Sequence, residues 1–178
     1  DNSGVVIQKG TLHRCIGQLS HGIYKTDNRL KDMWVSLTTE MDYNAPMYRG
    51  IGQVYLEPRQ KGYFLNYTAI ELSDSEQWEF DDGIFQFCSN NVVLGTKKLK
   101  FRQMTGSTDG RWRIALKALP GQNAKVVVGT SAPARVIELR KGETLIADCD
   151  LVKGFTNGIE EDYRKLGHFG KGGGEGYV

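Results

Sequence analysis

The 178-residue chain suits one domain, or two small fused repeats, around a core large enough to be stable unaided. Its 25% charged and 39% hydrophobic residues and its net charge of +2 are ordinary for a soluble protein, and 22 glycines against 4 prolines suit many tight turns. No run of eighteen apolar residues occurs, which excludes a bilayer-spanning helix.

The first residue is Asp1 rather than Met, so the chain reads as a processed or excised piece whose targeting signals lie out of view. Val5–Leu12 predicts a strand, a turn at Lys9-Gly10 and a second strand, and residues 5–24 read as a degenerate first copy of a unit that recurs downstream. His13, Cys15 and His21 fall close together. With no carboxylate or fourth ligand at a fixed spacing, they read as half-buried strand residues, a metal site being the alternative. Residues 26–47 match no other part of the chain and read as an insertion, in which Trp34, Val35 and Leu37 predict a strand.

Tyr48–Pro58 is a strand entered through Gly50 and Gly52. A dinucleotide fingerprint needs a third glycine where Tyr55 stands, so the pair is expected to admit close backbone packing or a bulge. Asn66-Tyr67-Thr68 matches the glycosylation sequon, a weak signal by itself.

The strongest pattern is a stretch used twice. Residues 70–92 (IELSDSEQWEFDDGIFQFCSNNV) align without a gap to residues 137–159 (IELRKGETLIADCDLVKGFTNGI), at an offset of 137 − 70 = 67. Ile-Glu-Leu recurs, as do Glu76 with Glu143, Asp81 with Asp148 and Asn90 with Asn157. Each copy predicts a strand ending in Leu, a polar turn before a Glu, a second strand, an acidic corner and a third strand. Short strands with turns every eight to twelve residues point to a β-sandwich or closed barrel. A fixed period points to one supersecondary unit built more than once, with Glu76, Asp81, Glu143 and Asp148 as structural repeat positions.

Between the copies, Lys98-Leu99-Lys100-Phe101-Arg102 and Arg111-Trp112-Arg113-Ile114-Ala115-Leu116-Lys117 alternate basic with apolar residues around a turn at Gly106-Ser107-Thr108. Period-two alternation puts Leu99, Phe101, Trp112, Ile114 and Leu116 on one face and Lys98, Lys100, Arg102, Arg111, Arg113 and Lys117 on the other. In the expected register Arg102 faces Arg111 and Lys100 faces Arg113, like-charge pairs that favour a bound anion. Residues 97–141 carry 11 Lys and Arg against 2 Asp and Glu, which leaves 23 − 11 = 12 basic and 21 − 2 = 19 acidic residues elsewhere. Such asymmetry points to anionic partners, and the plainer alternative is a solvated sheet face protected from edge pairing by charge.

Cys15, Cys88 and Cys149 are too far apart for a metal knuckle or redox pair, and Asp148 and Asp150 flank Cys149 so as to disfavour its thiolate. Residues 167–176 read as a glycine-rich hinge without the Gly-Lys-Ser/Thr of a phosphate loop. With no Gly-x-Ser-x-Gly elbow, no cupin-type histidine set and no cofactor motif, the chain is expected to be neither an enzyme nor a cofactor binder.

Gly50-Ile51-Gly52-Gln53-Val54-Tyr55-Leu56-Glu57-Pro58, the two Ile-Glu-Leu copies and the closing Gly-Gly-Glu-Gly-Tyr-Val resemble the altered inheritance of mitochondria protein 24 family, particularly its fungal members. The resemblance covers most of residues 48–178 and, more loosely, residues 5–24. It implies an all-β fold of tandem β-sandwich repeats like the tryptophan RNA-binding attenuation protein, and homo-oligomers, trimers among bacterial relatives. It also implies a non-enzymatic role at the mitochondrial inner membrane, peripheral or through segments outside this chain, supporting cristae architecture with proteins of the contact-site and cristae organising complex. Residues 26–47 depart from the family pattern.

The basic face is then the expected contact for anionic lipid such as cardiolipin or for an acidic protein, each cation contributing on the order of 1 kcal/mol near an anionic membrane. The alternative is a nucleic-acid-binding β-repeat module using the same hairpin. That reading is disfavoured because Phe101 and Trp112 fall on the opposite face, away from the cations.

Overall fold

A computed structural model describes residues 4–24, 45–57, 66–81, 83–98, 112–148 and 151–162. Ten strands run in chain order among the described residues: β1 (Gly4–Ile7), β2 (Leu12–Ile23), β3 (Pro46–Leu56), β4 (Asn66–Leu72), β5 (Gln77–Asp81), β6 (Phe85–Ser89), β7 (Val92–Lys98), β8 (Trp112–Ala118), β9 (Ala124–Thr130) and β10 (Gly154–Thr156). They form a six-stranded sheet ordered β2-β3-β1-β6-β9-β4 and a four-stranded sheet ordered β10-β5-β8-β7, with every pairing antiparallel. The described residues contain no α-helix.

Alternation builds the core from both sheets. Ile70 and Leu72 of β4, Phe85 and Cys88 of β6, and Val126 and Val128 of β9 meet Phe80 of β5, Val92 and Leu94 of β7, and Ile114 and Leu116 of β8 in one buried cluster. Burying an aliphatic side chain of this size stabilises the fold by roughly 1.5–3 kcal/mol, so the two-layer arrangement follows from where these residues fall along each strand.

Three of the connections that cross between the sheets, β4–β5, β6–β7 and β8–β9, meet at one end. Ser73–Glu76 carries the chain from β4 in the larger sheet to β5 in the smaller, with Ser75 in the left-handed region at φ 61°. The β8–β9 connection crosses back, and Asp74 Oδ1 accepts a 2.7 Å hydrogen bond from Gly121 N, tying the two corners together. Asn91 at the β6–β7 turn joins the same end: its carbonyl accepts from Leu119 N at 3.0 Å, and its side-chain amide donates to the Asn123 carbonyl at 2.8 Å.

β2 and β3 form a long ribbon in which Gly17 pairs with Gly52 and Leu19 with Gly50. A Cβ on Gly52 would lie 2.2 Å from the Ile16 carbonyl oxygen, and one on Gly50 2.2 Å from that of Gln18. The two glycines therefore serve close backbone approach, as their place in a strand predicts. The strand–turn–strand expectation at residues 5–12 matches β1, the turn at Lys9-Gly10 and the start of β2, although β1 pairs with β3 and β6 rather than with β2. Of the stretch read as an insertion, residues 46 and 47 open β3, whereas the strand expected around Trp34 and the hinge at 167–176 lie outside the described residues.

The register of β7 on β8 differs from expectation. Lys97 pairs with Arg113 and Lys98 with Trp112, a three-residue slip from the pairing of Lys100 with Arg113. An odd slip exchanges the faces. Its cause is the stretch before the basic run: Val92 and Leu94 are buried with Ile114, Leu116 and Ala118, so even-numbered positions of both strands turn inward together.

Candidate functional site

The outer face of the smaller sheet collects the odd-numbered residues: Gln77, Glu79 and Asp81 of β5, Arg113 and Lys117 of β8, and Val93 and Lys97 of β7. Phe155 of β10 pairs with Glu79, and its ring lies 4.6 Å beneath the Arg113 guanidinium carbon. β10 extends the sheet beyond β5, and Phe155 and Glu161 close the face at Arg113.

Arg113 is only 5% exposed. Its Nη1 donates to Glu161 Oε2 at 2.6 Å, and its Nε stands 3.5 Å from Asp81 Oδ1. Lys153 Nζ approaches Asp81 Oδ2 at 3.8 Å, while Asp81 N donates to the Lys153 carbonyl at 3.1 Å. One step along the sheet, Lys97 Nζ donates to the buried Glu79 Oε1 at 2.6 Å. Lys97, Arg113 and Lys153 thus meet Glu79, Asp81 and Glu161, three cations against three carboxylates. Charges taken out of water need such partners, because an uncompensated buried ion costs several kcal/mol.

This placement corrects the uniform cationic row expected from the sequence. Arg113 belongs to an internal ion cluster and is not offered to an external anion. Lys98 sits at the same parity as Val92 and Leu94 in the observed register rather than with Arg113. Lys117 is exposed, as expected. Lys100, Arg102 and Arg111 lie outside the described residues, as does the hairpin turn at 106–108.

Sequence reasoning missed Glu79 and Lys97, which the period-two pattern carries once it is started from Val92 rather than Lys98. Glu161 and Phe155 had no local signal, since they reach Arg113 from more than forty residues away.

Of the structural repeat positions, Glu76 Oε2 accepts from Ser73 N at 2.8 Å and Glu143 Oε2 accepts from Arg140 N at 2.8 Å. The backbone bonds match too, Glu76 N to the Ser73 carbonyl at 2.9 Å and Glu143 N to the Arg140 carbonyl at 3.0 Å. Ser75 and Gly142, also 67 residues apart, both have positive φ, 61° and 86°. The aspartates diverge. Asp81 is buried in the ion cluster and Asp148 is exposed, its carbonyl accepting from Leu151 N at 3.0 Å.

His13 and His21 lie on one strand, eight residues apart, a span of about 26 Å at about 3.3 Å per residue. His13 Nδ1 lies 3.4 Å from Glu57 and His21 packs on Tyr48, so β2 does not bring the two imidazoles to one ion. Among the described residues, no group of three or more His, Cys, Asp or Glu could hold a metal ion. No family model matches the chain, and neither a curated protein nor a solved structure is significantly similar to it.

Proposed function

We propose that this chain is a non-enzymatic β-repeat protein of the altered inheritance of mitochondria protein 24 type, with tandem repeats like those of the tryptophan RNA-binding attenuation protein. It acts by assembly at the mitochondrial inner membrane, in support of the contact-site and cristae organising complex. The observation that carries the repeat is the corner made twice, Glu76 on Ser73 and Glu143 on Arg140, with the same hydrogen bonds at the 67-residue offset. The family and its mitochondrial role rest on the motif resemblance.

Contact with anionic lipid is assigned to Lys100, Arg102 and Arg111, together with exposed Lys117. Arg113 is left out because its guanidinium is already committed to Asp81 and Glu161.

Liposome co-sedimentation with and without cardiolipin tests the lipid contact, comparing wild type with Lys100→Glu/Arg102→Glu/Arg111→Glu. The expected result is salt-sensitive binding to cardiolipin vesicles that the triple variant loses. No binding by folded wild type removes the direct lipid contact and leaves protein partners as the route to the membrane. Binding of single-stranded RNA, abolished by the same substitutions, would replace the lipid with nucleic acid.

A further inference from the structure

The two corners are alike in their bonds and opposite in their burial. In the first, Ile70 is 9% exposed and Leu72 fully buried against the smaller sheet, and β9 lies alongside β4: Val126 pairs with Ile70, Lys125 with Glu71 and Ala124 with Leu72. Lys125 Nζ also reaches Glu71 Oε1 at 3.2 Å. At the second corner the equivalent residues are Ile137, Glu138 and Leu139, and Ile137 is 60% exposed. Residues 133–140 and 143–148, the arms flanking Arg140–Glu143, belong to no strand, and Val136, Leu145 and Ile146 stand exposed along them.

We propose that the 133–139 arm is a strand-acceptor site, taking a β-strand of the β9 pattern from another polypeptide. The first corner specifies the chemistry of that strand. It carries a small residue opposite Leu139, a basic residue opposite Glu138 and a β-branched residue opposite Ile137, in antiparallel register. Backbone hydrogen bonds supply affinity in such strand addition, and alternate side chains supply selectivity. Cross-strand apolar contact at Ile137 adds to this, and the Glu138 carboxylate rejects an acidic strand at that register. β9 of the same chain cannot serve, since it is already held between β4 and β6. The inference rests on the repeat part of the proposed function and is independent of the mitochondrial assignment.

The test is titration of the whole chain with a fluorescent peptide of the Gln122–Thr130 sequence, read by anisotropy, with hydrogen exchange mapped along the protein. Saturable binding is expected, with new protection over 133–139. Ile137→Asp should weaken it about tenfold or more, the loss of one buried aliphatic contact. A peptide with Glu in place of Lys125 should bind more weakly to wild type and regain affinity for Glu138→Lys. Because Ile137 and Glu138 are exposed, neither variant endangers the fold. Equal binding by a scrambled peptide, or no protection over 133–139, overturns the proposal. Self-association in sedimentation, with 133–139 protected in the absence of peptide, overturns the choice of occupant in favour of a second copy of the chain. Loss of vesicle binding leaves these readouts untouched, so the two readings fail separately.

Discussion

Arg113 on β8 and Glu161, 48 residues later in the chain, meet at 2.6 Å over the outer face of the smaller sheet. The contact adds a charged tie to the β10–β5 ladder that already holds residues 154–156 at the sheet edge. Arg113→Ala would leave Asp81 short of its guanidinium in a buried position and should destabilise the protein by on the order of 3–5 kcal/mol in urea unfolding. Lys117→Ala, at an exposed position of the same strand, should shift the midpoint by no more than about 0.5 kcal/mol.

The two corner glutamates separate local from global stability. Glu76→Ala removes the acceptor for Ser73 N and for Trp78 Nε1, at 2.8 Å each, and should cost about 1–2 kcal/mol of global stability. Glu143→Ala breaks the equivalent bond to Arg140 N, yet its arms lie outside both sheets. Thermal unfolding should leave that variant close to wild type, and hydrogen exchange should quicken only around 140–143.

Cysteine chemistry should divide the ribbon from the core. Burial pushes the Cys88 thiol far above its ordinary range, whereas Cys15 is exposed on β2. Brief alkylation of native protein, read by peptide mass spectrometry, should label Cys15 and spare Cys88 until the protein unfolds. Because the folded state holds Cys88 protonated, its contribution to stability is complete below the ordinary thiol pKa of about 8.5 and declines as pH rises above it. Cys88→Val should remove that decline from a plot of unfolding free energy against pH.

Gly50→Ala should be costly although the position is exposed. Its φ of 128° and the carbonyl of Gln18, 2.2 Å from the added carbon, both oppose a side chain. A loss of about 1–3 kcal/mol is expected, or, if β2–β3 opens locally, fast exchange confined to residues 16–20 and 49–53.

The all-β character and the turns before Glu76 and Glu143 were legible because each rests on local chemistry. The Leu-turn-Glu grammar names both corners, and the alternation that brings Ile114 and Leu116 of β8 to one face names part of the core. The register of β7 was misread because a basic-apolar alternation from Lys98 to Arg102 outweighed Val92 and Leu94, two residues whose burial decides the parity of the strand. Arg113 reads as a surface cation from its neighbours alone. Its burial depends on Glu161 and Phe155, which no window around β8 contains. The unlike fate of Asp81 and Asp148 had no local signal either, since the burial of Asp81 depends on Arg113, 113 − 81 = 32 residues away.

The pairing of β4 with β9 also shapes how the chain is made. Asn66 pairs with Thr130, so 130 − 66 = 64 residues must follow Asn66 out of the ribosome before that ladder can complete. Ile70 and Leu72 wait for Val126 and Ala124, 126 − 70 = 56 and 124 − 72 = 52 residues later, so at about 5–20 residues per second they lack their partner strand for roughly 3–11 s. Pairings so distant in sequence close slowly even afterwards. A nascent chain of this protein therefore displays an unpaired apolar strand for seconds, making it a natural client for chaperones that bind extended apolar segments.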